Sequence, residues 1–110
     1  METYWSKAEF KAYLLAYCAQ SDFIETEEEK NFILDLVSSE IFKTVHFELA
    51  KDNDYQSIQK IQHHLEKFNY SINEIDTLLS DIKELFLVDG TFDILEENMF
   101  RALKKIILNN

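Results

Sequence analysis

A chain with no proline and a single glycine, Gly90, that still repeats a helix-start signature, four times at places where a helix would open, is committed to an all-α fold. The signature pairs Ser, Thr or Asp with Glu three residues later: Ser6 with Glu9, Thr26 with Glu29, Ser71 with Glu74 and Asp93 with Glu96. In this capping box each side chain satisfies a backbone N–H that the first helical turn leaves without a partner. Helices are therefore expected to begin near residues 7, 27, 72 and 94. Trp5 with Phe10 and Tyr70 with Ile75 have the spacing of hydrophobic staples across two of these starts. Turn residues are otherwise scarce, and no segment alternates apolar and polar residues as a half-buried strand would. Asp52-Asn53-Asp54 reads as a polar turn and cap that divides residues 39–68 into two further helices. The second of these carries Ile58, Ile61, Leu65 and Phe68 on one stripe. The expected architecture is a single compact bundle of about six helices.

Residues Ala12 to Ala19 are apolar almost all the way round, which places the first helix at the centre of the bundle. Leu14, Leu15 and Cys18 are expected near its middle, with Phe32, Leu36, Ile82, Phe86, Met99 and Leu103 packed around them. At 110 residues, 46% of them apolar, the chain reads as one domain spanning residues 1–110 with enough apolar surface for a real core. A lone Cys18 allows no internal disulfide and reads as a small packed hydrophobe. Without a basic-then-apolar leader or a long apolar run, the expectation is a cytoplasmic protein with no membrane span. A net charge of −10 without a basic stripe argues against nucleic acid, whose phosphates would be repelled.

That charge is unevenly placed. Asp22 to Lys30 (DFIETEEEK) carries five acids and one base, and Asp89 to Glu97 (DGTFDILEE) carries four acids, so each window contributes −4. The two windows share a register: Asp22 with Asp89, Thr26 with Asp93, Glu29 with Glu96 and Asn31 with Asn98, at a constant offset of 67 residues. Helix starts attract carboxylates by about 0.3–1 kcal/mol on their own. Capping accounts for a Glu at this position but not for an Asp seven residues before it in both copies. The offset predicts two pseudo-symmetric helix pairs, residues 8–37 and 75–104, with Phe32 matching Met99 and Leu36 matching Leu103.

Helix, acidic turn, helix, given twice, resembles the TerB-like family of small all-helical proteins associated with tellurite resistance and stress. The second copy carries the resemblance best: Asp89-Gly90, the apolar Phe92, and Glu96 seven residues after the Asp look like that family's Asp-Gly turn. In the first copy Phe23 stands in the glycine's place and the apolar residue falls at Ile24. The resemblance implies a compact all-α domain of two related halves whose acidic residues bind a metal ion. The candidate metal ligands are Asp22, Glu29, Asp89 and Glu96, with the Gly90 half contributing more. Four converging carboxylates repel, and a divalent cation would offset that repulsion. Oxygen donors without Cys or His favour Ca²⁺, Mg²⁺ or Mn²⁺ over zinc. The site is not an EF-hand, because the sixth and twelfth positions from Asp89 are Ile94 and Phe100, and from Asp22 are Glu27 and Ile33, where Gly and Glu are needed.

His46, His63 and His64 show no recognised ligand spacing and read as surface or half-buried residues. With no phosphate-binding glycine loop and no nucleophile paired with a base, the expectation is that the chain is not an enzyme. The alternative to a cation-binding module is a metal-independent domain whose acidic face recognises a basic protein, with Tyr4, Trp5 or Phe47 as aromatic anchors.

Overall fold

A computed structural model describes residues 5–20, 26–88 and 94–108, apart from the side chains of 94–96. It is an all-α bundle of six helices: α1 (Lys7–Ala19), α2 (Glu27–Leu36), α3 (Ser39–Lys51), α4 (Asp54–Phe68), α5 (Ile72–Leu87) and α6 (Ile94–Leu108). No helix among the described residues is long and apolar enough to cross a membrane.

Local chemistry places the helix starts where the sequence puts them. Reciprocal capping boxes form at Ser6/Glu9, Thr26/Glu29 and Ser71/Glu74. Asp93 lies outside the described residues, but α6 begins at the expected position, Ile94. A further box, Asn53 with Gln56, opens α4, so the Asp52-Asn53-Asp54 turn is a full cap. Ser38 caps α3 without a returning side chain. Asn69 closes α4 in the left-handed conformation, φ 48°, which asparagine tolerates better than any other residue with a side chain.

Helix α1 is the hub. Phe10 and every residue from Ala12 to Ala19 are buried, and the helix packs against α2, α3, α4 and α5. Its small residues, Ala12, Ala16, Cys18 and Ala19, keep the axis thin enough for several neighbours to approach at once. Around it lie Ile33, Phe42, Val45, Leu49, Ile61, Leu65, Leu78, Ile82, Leu85, Phe86, Leu103 and Ile107. Ion pairs from Lys7 to Glu74 (2.7 Å) and from Lys11 to Asp81 tie α1 to α5.

The 67-residue offset is kept at some element boundaries and not at others, since the end of α2, Leu36, maps onto Leu103 inside α6. Shifting α2 by that offset moves its start from Glu27 to Ile94, the first residue of α6, and moves the end of α1 from Ala19 to Phe86, beside the end of α5. Helix α1 packs on α2 as α5 packs on α6. The side-chain register is less faithful. Phe32 and Met99 are both half-buried, but Leu103 is fully buried while Leu36 is 43% exposed. Leu36 is thus not part of the core, because α2 ends there and turns Ile33 inward instead.

Two further expectations are corrected. Trp5 is buried rather than an exposed anchor: its ring lies 4.6 Å from Tyr13 and 4.9 Å from His64. His64 is completely buried, stacked between Trp5 and Phe10, rather than at the surface. His63 is exposed and His46 half-buried, and Tyr4 lies outside the described residues.

Candidate functional site

Of the four proposed metal ligands, the structure describes one side chain, Glu29. Asp22 and Asp89 lie outside the described residues, as does the side chain of Glu96. Glu29 holds the third position of α2, where Thr26 N–H and Thr26 Oγ1 both donate to its Oε1 at 3.1 Å, and Glu29 N–H donates back to Thr26 Oγ1. The same cap chemistry recurs at Glu9, Gln56 and Glu74, yet those side chains stay half in water. Glu29 is 2% exposed. Capping alone therefore does not require its burial, which is costly for a carboxylate unless positive partners compensate. The positive end of α2 supplies part of that compensation. Glu29 also stands close enough to α1 to act on Cys18: burial first, and then the negative charge of Glu29, push the thiol well above its ordinary range. Cys18 is a packed, protonated side chain. Among the described residues no three of His, Cys, Asp and Glu come together as a metal-holding group.

A second polar centre lies between α1, α4 and the α3–α4 turn. The Lys60 side chain, 4% exposed, places Nζ 2.7 Å from both Asp52 Oδ2 and Glu48 Oε1. Asp52 Oδ2 also accepts from the Tyr13 hydroxyl at 2.7 Å, and Ser57 Oγ lies 2.9 Å from the same phenol oxygen. One turn further along α4, His64 Nδ1 lies 2.7 Å from the Lys60 carbonyl, which can only accept, so Nδ1 carries the proton. Beside this centre the Tyr17 hydroxyl donates to Asp54 Oδ1 at 2.5 Å, on the wall of an open cavity of about 360 Å³ that Asn53 and Met99 also line. The sequence carries a signal for these residues. Ser57, Lys60, Ile61, His64, Leu65 and Phe68 share the spacing of one helix face, so a lysine and a histidine on an apolar stripe mark buried polar groups.

The network holds its protons. Burial alone would push the Lys60 ammonium down, but its bonds to Asp52 and Glu48, with their charges, outweigh that and raise it above the ordinary lysine value. Burial and then the bond to Asp54 push the Tyr17 hydroxyl up. Tyr13 is raised by burial foremost, with Asp52 adding to the rise and Ser57 opposing it. Tyr70, raised by burial and then by Glu74, is pushed up to about 12. None of these groups is a base or a nucleophile near neutral pH; together they brace α1 against α4.

The sign of the resulting pH dependence follows from where the protons are lost. The unfolded chain releases thiol and phenol protons near their ordinary values of 9.0 and 10.0, while the folded chain retains them. Above about pH 9 the unfolded state binds fewer protons, so stability declines as pH rises toward the folded-state values and levels off above them. Urea midpoints measured across this range should fall, and Tyr13→Phe should flatten the slope. A midpoint that stays level between about pH 9 and 11 would contradict this assignment.

No protein-family model, no curated protein and no solved structure matches this chain, so the reading of its function rests on its own residues.

Proposed function

We propose that the chain is a non-catalytic, TerB-like helical module of the stress- and tellurite-resistance-associated kind. It acts in the cytoplasm and binds a divalent cation weakly through the acidic turns that join α1 to α2 and α5 to α6. Asp22, Glu29, Asp89 and Glu96 are the ligands, and an all-oxygen donor set suits Ca²⁺, Mg²⁺ or Mn²⁺. The observation that carries this reading is the burial of Glu29, unlike Glu9, Gln56 and Glu74, which complete capping boxes among the described residues. The shared offset of α2 and α6 supports it, since Glu29 and Glu96 occupy the same third position of helices that begin at Glu27 and Ile94. A cation bound there would stabilise the native state in proportion to its occupancy.

Calorimetric titration with each ion tests the proposal. Binding should weaken about tenfold or more in Asp89→Asn, a loss of roughly 1.4 kcal/mol. Glu9→Gln, which changes an equivalent cap outside the acidic turns, should leave binding unchanged. If no ion produces heat and a chelator leaves Tm where it was, the cation reading fails.

A second reading is a metal-independent domain whose acidic face recognises a basic protein. It is favoured by the apolar side chains that α5 leaves in water, Ile72 and Leu87, on the helix that also exposes Asp76 and Glu84. Capture of a basic partner that weakens with salt and ignores chelators would select it.

A further inference from the structure

The groove between α2 and α3 is lined by basic and aromatic side chains. Lys30 stands on the α2 side, and Phe42, Lys43, His46, Phe47 and Ala50 line the α3 side, with no acid among them. Among the described residues neither Lys30 nor Lys43 makes an ion pair, whereas Lys7, Lys11 and Lys60 each do. Phe47 lines the same groove, 65% exposed, with Lys51 Nζ over its ring at 4.3 Å. A large exposed aromatic flanked by unpaired cations has the composition of an interface hot spot, an apolar anchor inside a charged rim.

We propose that this groove docks a short acidic segment of another protein, whose apolar side chain packs on Phe47 and whose carboxylates pair with Lys30 and Lys43. Charge complementarity selects this occupant. Among the described residues Lys30 and Lys43 have no ion pair to break, so new carboxylates would meet cations already available. At physiological ionic strength charges beyond about 8 Å are largely screened, so the encounter is governed by the groups beside the groove rather than by the net charge. The apolar contact supplies what two surface ion pairs cannot, since exposed pairs alone contribute only about 0–1 kcal/mol each.

The test uses fluorescence anisotropy of the full chain with a short labelled peptide of Glu, Asp, Leu and Phe. Three further probes accompany it: a charge-reversed Lys peptide, a peptide of Glu and Asp alone, and a single-stranded oligonucleotide. The mixed acidic peptide is expected to bind best, with affinity falling as salt is raised. Lys43→Glu and Phe47→Ala, both at exposed positions and checked for unchanged circular dichroism, should each weaken it about tenfold. Equal binding by wild type and both variants would overturn the proposal. So would preference for the Lys peptide, the acid-only peptide or the oligonucleotide, or no binding by the mixed peptide at all. Light scattering that shows a dimer in wild type and a monomer in Phe47→Ala would also overturn it, assigning the groove to a second copy.

Discussion

Replacing Lys60 with alanine is expected to cost about 3–5 kcal/mol of folding stability, the usual penalty for removing one partner of a buried ion pair. The loss is not that of one attraction. Asp52 and Glu48 both approach Nζ at 2.7 Å, so without the ammonium two carboxylates face one another, and the Asp52 side chain is only 7% exposed. Glu48 is a third exposed, and solvent screens its share, which places the greater part of the cost on Asp52. Tyr13 would then donate to a carboxylate with no cation beside it. Against a typical stability of about 5–15 kcal/mol, this change brings the protein near its unfolding threshold. Combining Lys60→Met with Asp52→Asn and Glu48→Gln should recover much of the loss, because the groups that were paired are neutralised together. Urea denaturation of these variants measures both effects. A loss below about 1 kcal/mol for Lys60→Ala would mean that the pair behaves as an exposed one.

Phe10→Ala is the second large effect, expected at about 3–5 kcal/mol with a marked drop in Tm. Phe10 is fully buried at the start of α1, its ring 5.4 Å from His64, 6.1 Å from Phe68 and 6.2 Å from Tyr70. These rings come from α4 and the α4–α5 turn, so the cavity left by truncation opens where three segments meet and cannot collapse by moving one of them. Phe10→Leu, which keeps most of the volume, should cost much less. Phe47→Ala gives the contrast: the same substitution at an exposed position should stay within about 0.5 kcal/mol. If Phe10→Ala were equally mild, the aromatic cluster would not be packed as described.

The features that were legible in the sequence are those with a local cause. Caps act over three residues, so Ser6, Thr26 and Ser71 announce their helices without reference to anything distant, and α6 begins at the expected Ile94. Asn53 with Gln56 makes the same geometry from amides, which a template of hydroxyl or Asp with Glu passes over. The apolar circumference of residues 12–19 likewise identifies α1 as the hub. Orientation is another matter, since it depends on which neighbour arrives. Leu36 fits the helical stripe but lies at the frayed end of α2, and Trp5 looks like a surface aromatic until α4 brings His64 against it. The apolar stripe of α4 marks Lys60 as buried but does not name its partners, because its two carboxylates come from α3 and the following turn. The burial of Glu29 was hidden for the same reason: the box that contains it is local, but its withdrawal from water is a tertiary fact.

The central position of α1 also bears on how the chain is made. Helix α1 is synthesised well before α5, with roughly 50 residues between the end of one and the start of the other, which at ribosomal speeds is about 3–10 s. Throughout that interval a helix apolar on every side lacks one of its coverings, although α2, α3 and α4 follow sooner. A nascent chain of this design is exposed to misassociation until α5 emerges, so its risk during synthesis is set by the order of its helices rather than by the stability of the finished bundle.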